Sequence, residues 1–108
     1  MKYSVLFRIE KIELLEKLRT KIKNLRNYME EEKHEFEIEI VFSGNVVEYF
    51  KGDYSEFLDP KLDIILCNNA LKNANMEPIS DQNIRTVRAG IGEIIVKKAE
   101  GWIEFTIE

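Results

Sequence analysis

Cys67 is the single cysteine of the 108-residue chain. It ends the apolar run Ile64-Ile65-Leu66 and is followed at once by Asn68 and Asn69. A thiol there admits two readings. As a thiolate it is a nucleophile that attacks and carries sulfur. A place between the end of a strand and the start of a helix favours that form, through the helix dipole and the first N–H groups. Asn68 and Asn69 add amide donors beside it. As a thiol it is a small hydrophobe, and free cysteines are commonly buried. The residues alone leave both open. The other reactive types offer less. His34 stands alone in an acidic stretch, and a metal site needs three or four converging ligands, so no metal is expected. Arg85 and Arg88 could help hold an anionic sulfur donor or could be surface charges. Gly90-Ile91-Gly92 is neither a P-loop nor a G-x-G-x-x-G fingerprint.

The elements that must position Cys67 follow from periodicity. Residues 2–9 alternate as a strand, with Tyr3, Val5, Phe7 and Ile9 on one face and Leu6 on the other. Ile12, Leu15, Leu18, Ile22, Leu25 and Met29 form one apolar stripe of a helix. Glu10, Glu13 and Glu16 suit its first turns, whereas Glu30, Glu31 and Glu32 oppose the dipole at a C-terminus, which predicts an end near Met29. Residues 35–42 form a second strand, broken by a strand-to-helix turn at Ser43-Gly44-Asn45, where serine and asparagine are capping types. A short helix over 46–51 closes at Gly52. The run Leu62 to Leu66 is apolar on both faces, as an interior parallel strand is. A helix over about 69–74 follows, and 84–90 holds a fourth strand. Residues 91–101 are ambiguous: Ile94-Ile95-Val96 favours a strand by propensity, while Ile91, Ile94, Ile95 and Ala99 fall at helical spacing. Residues 102–107 alternate as a closing edge strand. Strand and helix thus alternate, which implies a parallel, doubly covered α/β sheet.

Such a sheet binds ligands beyond the carboxyl ends of its strands. The turns there are Ser43-Gly44-Asn45, Cys67-Asn68-Asn69 and Ala89-Gly90-Ile91-Gly92. Composition narrows the function further. Sixteen basic against twenty acidic residues leave a net charge of −4, which argues against general nucleic-acid or anionic-membrane binding. Lys17, Arg19, Lys21, Lys23 and Arg26 read as a solvated helix face. No signal peptide or spanning segment is evident, and one cysteine gives no disulfide, so the expected setting is a cytoplasmic single domain over residues 1–108.

Two segments, Asp63 to Leu71 and Val87 to Trp102, resemble the DsrE/DsrF/TusD-like sulfur-relay family. The likeness rests on a cysteine after the third strand, followed by amide residues and Leu71. It rests also on the late pattern of Val87, Gly90, Glu93, Glu100, Gly101 and Trp102, with residues 41–50 similar to the family's second strand and glycine turn. The resemblance implies a three-layer α/β/α sandwich on a mainly parallel five-stranded sheet, with residues 91–100 helical. It places Cys67 at the sulfur-carrying position and implies trimers or hexamers working with sulfur donor and acceptor proteins. The expected function is then a sulfur carrier or sulfurtransferase holding a persulfide on Cys67, without metal or organic cofactor. Asn68 and Asn69 would stabilise the anion, and Gly44, Asn45 and Gly90 would shape the mouth. The alternative is a non-catalytic oligomeric module that binds a small molecule or nucleotide at the same sheet edge. A third, purely structural subunit predicts a buried Cys67 and an exposed apolar patch.

Overall fold

The computed structural model describes residues 1–108. Five strands, β1 (Lys2–Ile9), β2 (Glu35–Phe42), β3 (Leu62–Cys67), β4 (Ile84–Val87) and β5 (Ile103–Ile107), pair in parallel in the order β4-β3-β2-β1-β5. Three α-helices join them: α1 (Leu15–Glu31), α2 (Asn68–Asn73) and α3 (Gly90–Ala99). The α/β sandwich expected from the alternation is therefore the fold. Residues 91–99 are helical, and β5 is the outer strand beside β1.

The two faces of the sheet differ. Val5, Phe7 and Ile9 of β1 lie in register with Ile38, Ile40 and Phe42 of β2. They pack with Leu15, Leu18 and Ile22 of α1 and with Ala70 and Leu71 of α2 into the main core. On the other face Leu6, Val41 and Ile65 meet only Ile94 of α3, edged by Val87 and Trp102. That thinner cover is why charged side chains such as Glu39, Asp63 and Arg85 can occupy this face. No helix is long and apolar enough to cross a membrane.

Three local expectations are corrected. First, α1 runs on to Glu31. Lys33 takes a left-handed φ of 58°, its N–H donates to Glu30 O at 3.1 Å, and the His34 N–H donates to Met29 O at 2.9 Å. This is a Schellman closure, and His34 then packs edge-on against Tyr3 with centroids 5.1 Å apart. These contacts outweigh a repulsion that exposed glutamates feel only weakly in water. Second, the short helix expected over 46–51 is present as a 3-10 helix, Gly44–Lys51, that starts two residues earlier and is closed, as expected, by the Gly52 N–H to Tyr49 O. Third, Ser43 makes no side-chain cap, and Asn45 Oδ1 accepts from the Ile12 N–H at 2.9 Å. Asn45 thus caps the single 3-10 turn (Ile12–Leu14) that leads into α1.

Candidate functional site

Cys67 ends β3 and is the N-cap of α2, with extended backbone (φ −79°, ψ 119°). It is buried, at 7% exposure. The wall opposite is Gly90, the first residue of α3. A Cβ built on Gly90 would stand 3.2 Å from Val41 Cγ1, 3.4 Å from Cys67 Cβ and 3.6 Å from Ser43 Cβ. Two helix amino termini, those of α2 and α3, therefore meet at the only thiol. The first N–H groups of each lack partners within their own helix and carry its positive end. Asn68 is half-buried with its Oδ1 unpaired, and Asn69 is exposed. Arg88 is exposed on the same rim and forms no ion pair, whereas Arg85 is committed elsewhere.

The sequence-derived set is thus split. Cys67, Asn68, Asn69 and Gly90 come together. Gly44 and Asn45 belong to another contact: a Cβ on Gly44 would lie 2.5 Å from the Glu10 carbonyl oxygen, and Asn45 faces Ile12. They line a small cleft of about 160 Å³ with Glu48, Ala70, Asn73 and Ala74 that does not include Cys67. Their role as shapers of the Cys67 mouth is replaced by a structural one.

Gly90 packs directly against the Cys67 side chain, and Val41 leaves little room for a Cβ there. Gly90→Ala is expected to slow alkylation of Cys67 by iodoacetamide several-fold, with a stability loss of about 1–3 kcal/mol from overpacking. An unchanged alkylation rate in the folded variant would place the route to sulfur on another side.

Two features of the molecule were not picked out from the sequence. One is a charged cluster beneath α3. Glu39 is fully buried, and the Arg85 Nη2 lies 3.5 Å from Glu39, 3.4 Å from Asp63 and 3.0 Å from Glu93. Lys97 Nζ is 3.7 Å from Glu39 and sits over the Trp102 ring at 4.8 Å. Burial first, and the neighbouring Glu93 second, push the Glu39 carboxyl up to about 9. The signal was present as cross-strand register, since Glu39 pairs with Asp63 and Ile65 with Arg85. The other feature is the outer side of α3, where Ile91, Ile95 and Val96 are exposed.

The chain leaves β3 and β4 in opposite directions, through α2 on the main-core face and α3 on the other, so the switch point where α/β folds place ligands lies between their carboxyl ends, at Cys67 and Gly90. A separate crevice between the carboxyl ends of β1 and β5, about 320 Å³, is lined by Glu10, Lys11, Glu13, Leu14, Thr106, Ile107 and Glu108. It lies two strands away from Cys67.

No family model matches the sequence, and no curated protein matches it. Among solved structures the chain is similar to a protein of unknown function from Methanobacterium thermoautotrophicum, at a TM-score of 0.77 and 24% identity over 96% of this chain and 98% of that one. At that identity the likeness bears on the fold: a parallel α/β sandwich.

Proposed function

We propose that this chain is a cytoplasmic sulfur carrier that holds sulfane sulfur as a persulfide on Cys67. The observation that supports it best is the convergence of the α2 and α3 amino termini on the only thiol, where Gly90 lets α3 pack directly against Cys67. In the loading step the Cys67 thiolate attacks the outer sulfur of a donor such as thiosulfate. The new S–S bond forms as the donor's S–S bond breaks, and sulfite leaves with the electron pair. The product is a persulfide anion on Cys67, for which the first N–H groups after Cys67, those of Asn68 and Asn69, are suitable donors. Arg88 on the rim would favour the approach of an anionic donor. An acceptor thiolate then attacks the terminal sulfur and frees Cys67. By its resemblance to sulfur-relay proteins the chain would work as a homo-oligomer, a trimer or hexamer, between donor and acceptor proteins. The exposed Ile91, Ile95 and Val96 are the kind of surface such assembly uses.

Incubation with polysulfide or thiosulfate, followed by intact mass, tests the reading. Wild type is expected to gain one or more sulfur atoms that dithiothreitol removes, and Cys67→Ala to gain none. A folded wild type that stays unmodified by every donor sinks it. A second reading, a binding module at the same sheet edge, is favoured by the crevice between β1 and β5. Its acidic lining of Glu10, Glu13 and Glu108 suits a small cationic or neutral ligand better than a nucleotide phosphate. On that reading Cys67→Ser leaves ligand binding unchanged.

A further inference from the structure

A groove far from Cys67, between α1 and the chain entering β3, has the make-up of a ligand site. It measures about 330 Å³ and is lined by Arg19, Ile22, Lys23, Arg26, Asn27 and Glu30 of α1, facing Glu56, Phe57, Asp59 and Leu62. Its size is at the lower end of the range for small-molecule sites. The spacing 19, 22, 23, 26, 27, 30 is one helical face, so α1 offers the groove a continuous wall.

Three observations define what would fit. The apolar lining is made of Ile22, Phe57 and Leu62, each part of the main core. Two ion pairs bridge the walls, Arg19 to Glu56 at 2.9 Å and Arg26 to Asp59 at 2.9 Å. These engage the acidic wall. The Lys61 N–H first, and Arg26 second, hold the Asp59 carboxyl below its ordinary range. The basic wall is not used up. Lys23 lies between the two bridging arginines in sequence and forms no ion pair with the protein. Arg26 gives only Nη1 to Asp59, while its Nε and Nη2 are buried with no acceptor. That Nε/Nη2 edge is the fork that matches two oxygens of a carboxylate. Glu30 is the one carboxylate of the lining without an ion-pair partner, and it stands a turn beyond Arg26, which directs a negative group toward Lys23.

We propose that this groove binds a small amphiphilic anion, with a carboxylate held by Lys23 and the free edge of Arg26 and an apolar body laid on Ile22, Phe57 and Leu62. The site is independent of the thiol, and Cys67→Ala leaves it intact. A small side-chain adjustment of Arg26 on binding brings its buried edge to the ligand, an ordinary rotamer change at an interface.

The test is a ¹⁵N-resolved NMR titration with 4-phenylbutyrate, beside its neutral amide and inorganic phosphate. Saturable shifts confined to residues 19–30 and 56–62 are expected with the carboxylate. The amide and phosphate are expected to bind at least about tenfold more weakly, since each lacks one half of the recognition. Lys23→Gln, an exposed substitution that leaves both bridging pairs in place, is expected to weaken the carboxylate about fivefold or more. Arg26→Lys retains the charge opposite Asp59 but loses the fork, and is expected to weaken it similarly. No saturable shift, equal binding of the amide or of phosphate, or unchanged affinity in both folded variants would each overturn the proposal.

Discussion

Gly44→Ala is expected to destabilise the protein by about 3–5 kcal/mol, measured as a fall in the urea midpoint at unchanged slope. Gly44 has a φ of +70°, where an alanine pays roughly 1–2 kcal/mol before it meets any neighbour. The neighbour is then backbone: the new Cβ would sit 2.5 Å from the Glu10 carbonyl oxygen and 3.2 Å from Glu10 Cβ. A carbonyl at the end of β1 cannot rotate away as a long side chain would. It accepts from the Val46 N–H at 3.2 Å, and the adjacent Ser43 N–H donates to Ile9 O at 3.1 Å. Relieving the clash stretches these bonds and the Asn45 cap on Ile12 together. Because Gly44 serves the joint between β1 and β2, alkylation of Cys67 per folded molecule should stay at the wild-type rate. A loss under about 1 kcal/mol, or a Cys67 rate that falls with it, would return Gly44 to the mouth of the thiol site.

Gly44 illustrates what the sequence makes legible. Ser-Gly-Asn after an apolar run marks a turn reliably, because glycine and asparagine tolerate backbone that other residues resist. What the turn touches is a tertiary matter. Gly44 meets Glu10 and Asn45 meets Ile12, partners 34 and 33 positions away, and no local pattern names them. Cys67 and Gly90 were legible as turn residues on one edge of a parallel sheet for the opposite reason. Parallel register brings the carboxyl ends of β3 and β4 level, so the loops after them must adjoin. The end of α1 is not legible from charge alone, because the closing hydrogen bonds at Lys33 and His34 depend on a left-handed lysine. The helical α3 could be read only with help from resemblance, since a run of β-branched residues is equally at home in strands. Its helical state is decided by position. A parallel connection from β4 back to β5 must cross the sheet, and it does so with Ile94 buried against Leu6, Val41 and Ile65.

Glu39 was hidden by the same logic, since Glu37 and Glu39 alternate with apolar residues as they would on a solvated face. The crossing of α3 turns that face inward. The consequence is a second large effect: Glu39→Gln is expected to stabilise the protein at pH 7–8 by about 1–3 kcal/mol. Two cations, Arg85 and Lys97, approach Glu39, and taken alone they would favour its ionised form. Arg85 is shared, however, with Asp63 and Glu93. With all three carboxylates ionised the cluster carries −3 + 2 = −1 in a water-poor space; with Glu39 protonated it is neutral. Burial adds to this, and the folded state holds the proton up to about pH 9, against an ordinary carboxyl near 4.5. The unfolded chain releases that proton as pH rises through 4.5, so protons favour the fold between the two values. The wild type therefore loses stability steadily from about pH 4.5 to pH 9 on account of this group, and neither gains nor loses further above. Glutamine is neutral throughout, and its amide can donate to Glu93 as the protonated carboxyl does. Its advantage should be absent at pH 4, grow through pH 6 and 8, and level off above pH 9, in urea unfolding of both proteins. Parallel stability curves, or a glutamine variant weaker at pH 8, would mean that Arg85 and Lys97 win and that Glu39 serves as their counter-ion. The remaining partners separate the two cases: if the proton on Glu39 is what makes the cluster neutral, Arg85→Met should be strongly destabilising in wild type at pH 8, because Asp63 and Glu93 lose their cation. In the Glu39→Gln background the loss should be as large, since glutamine removes no charge that Arg85 was balancing.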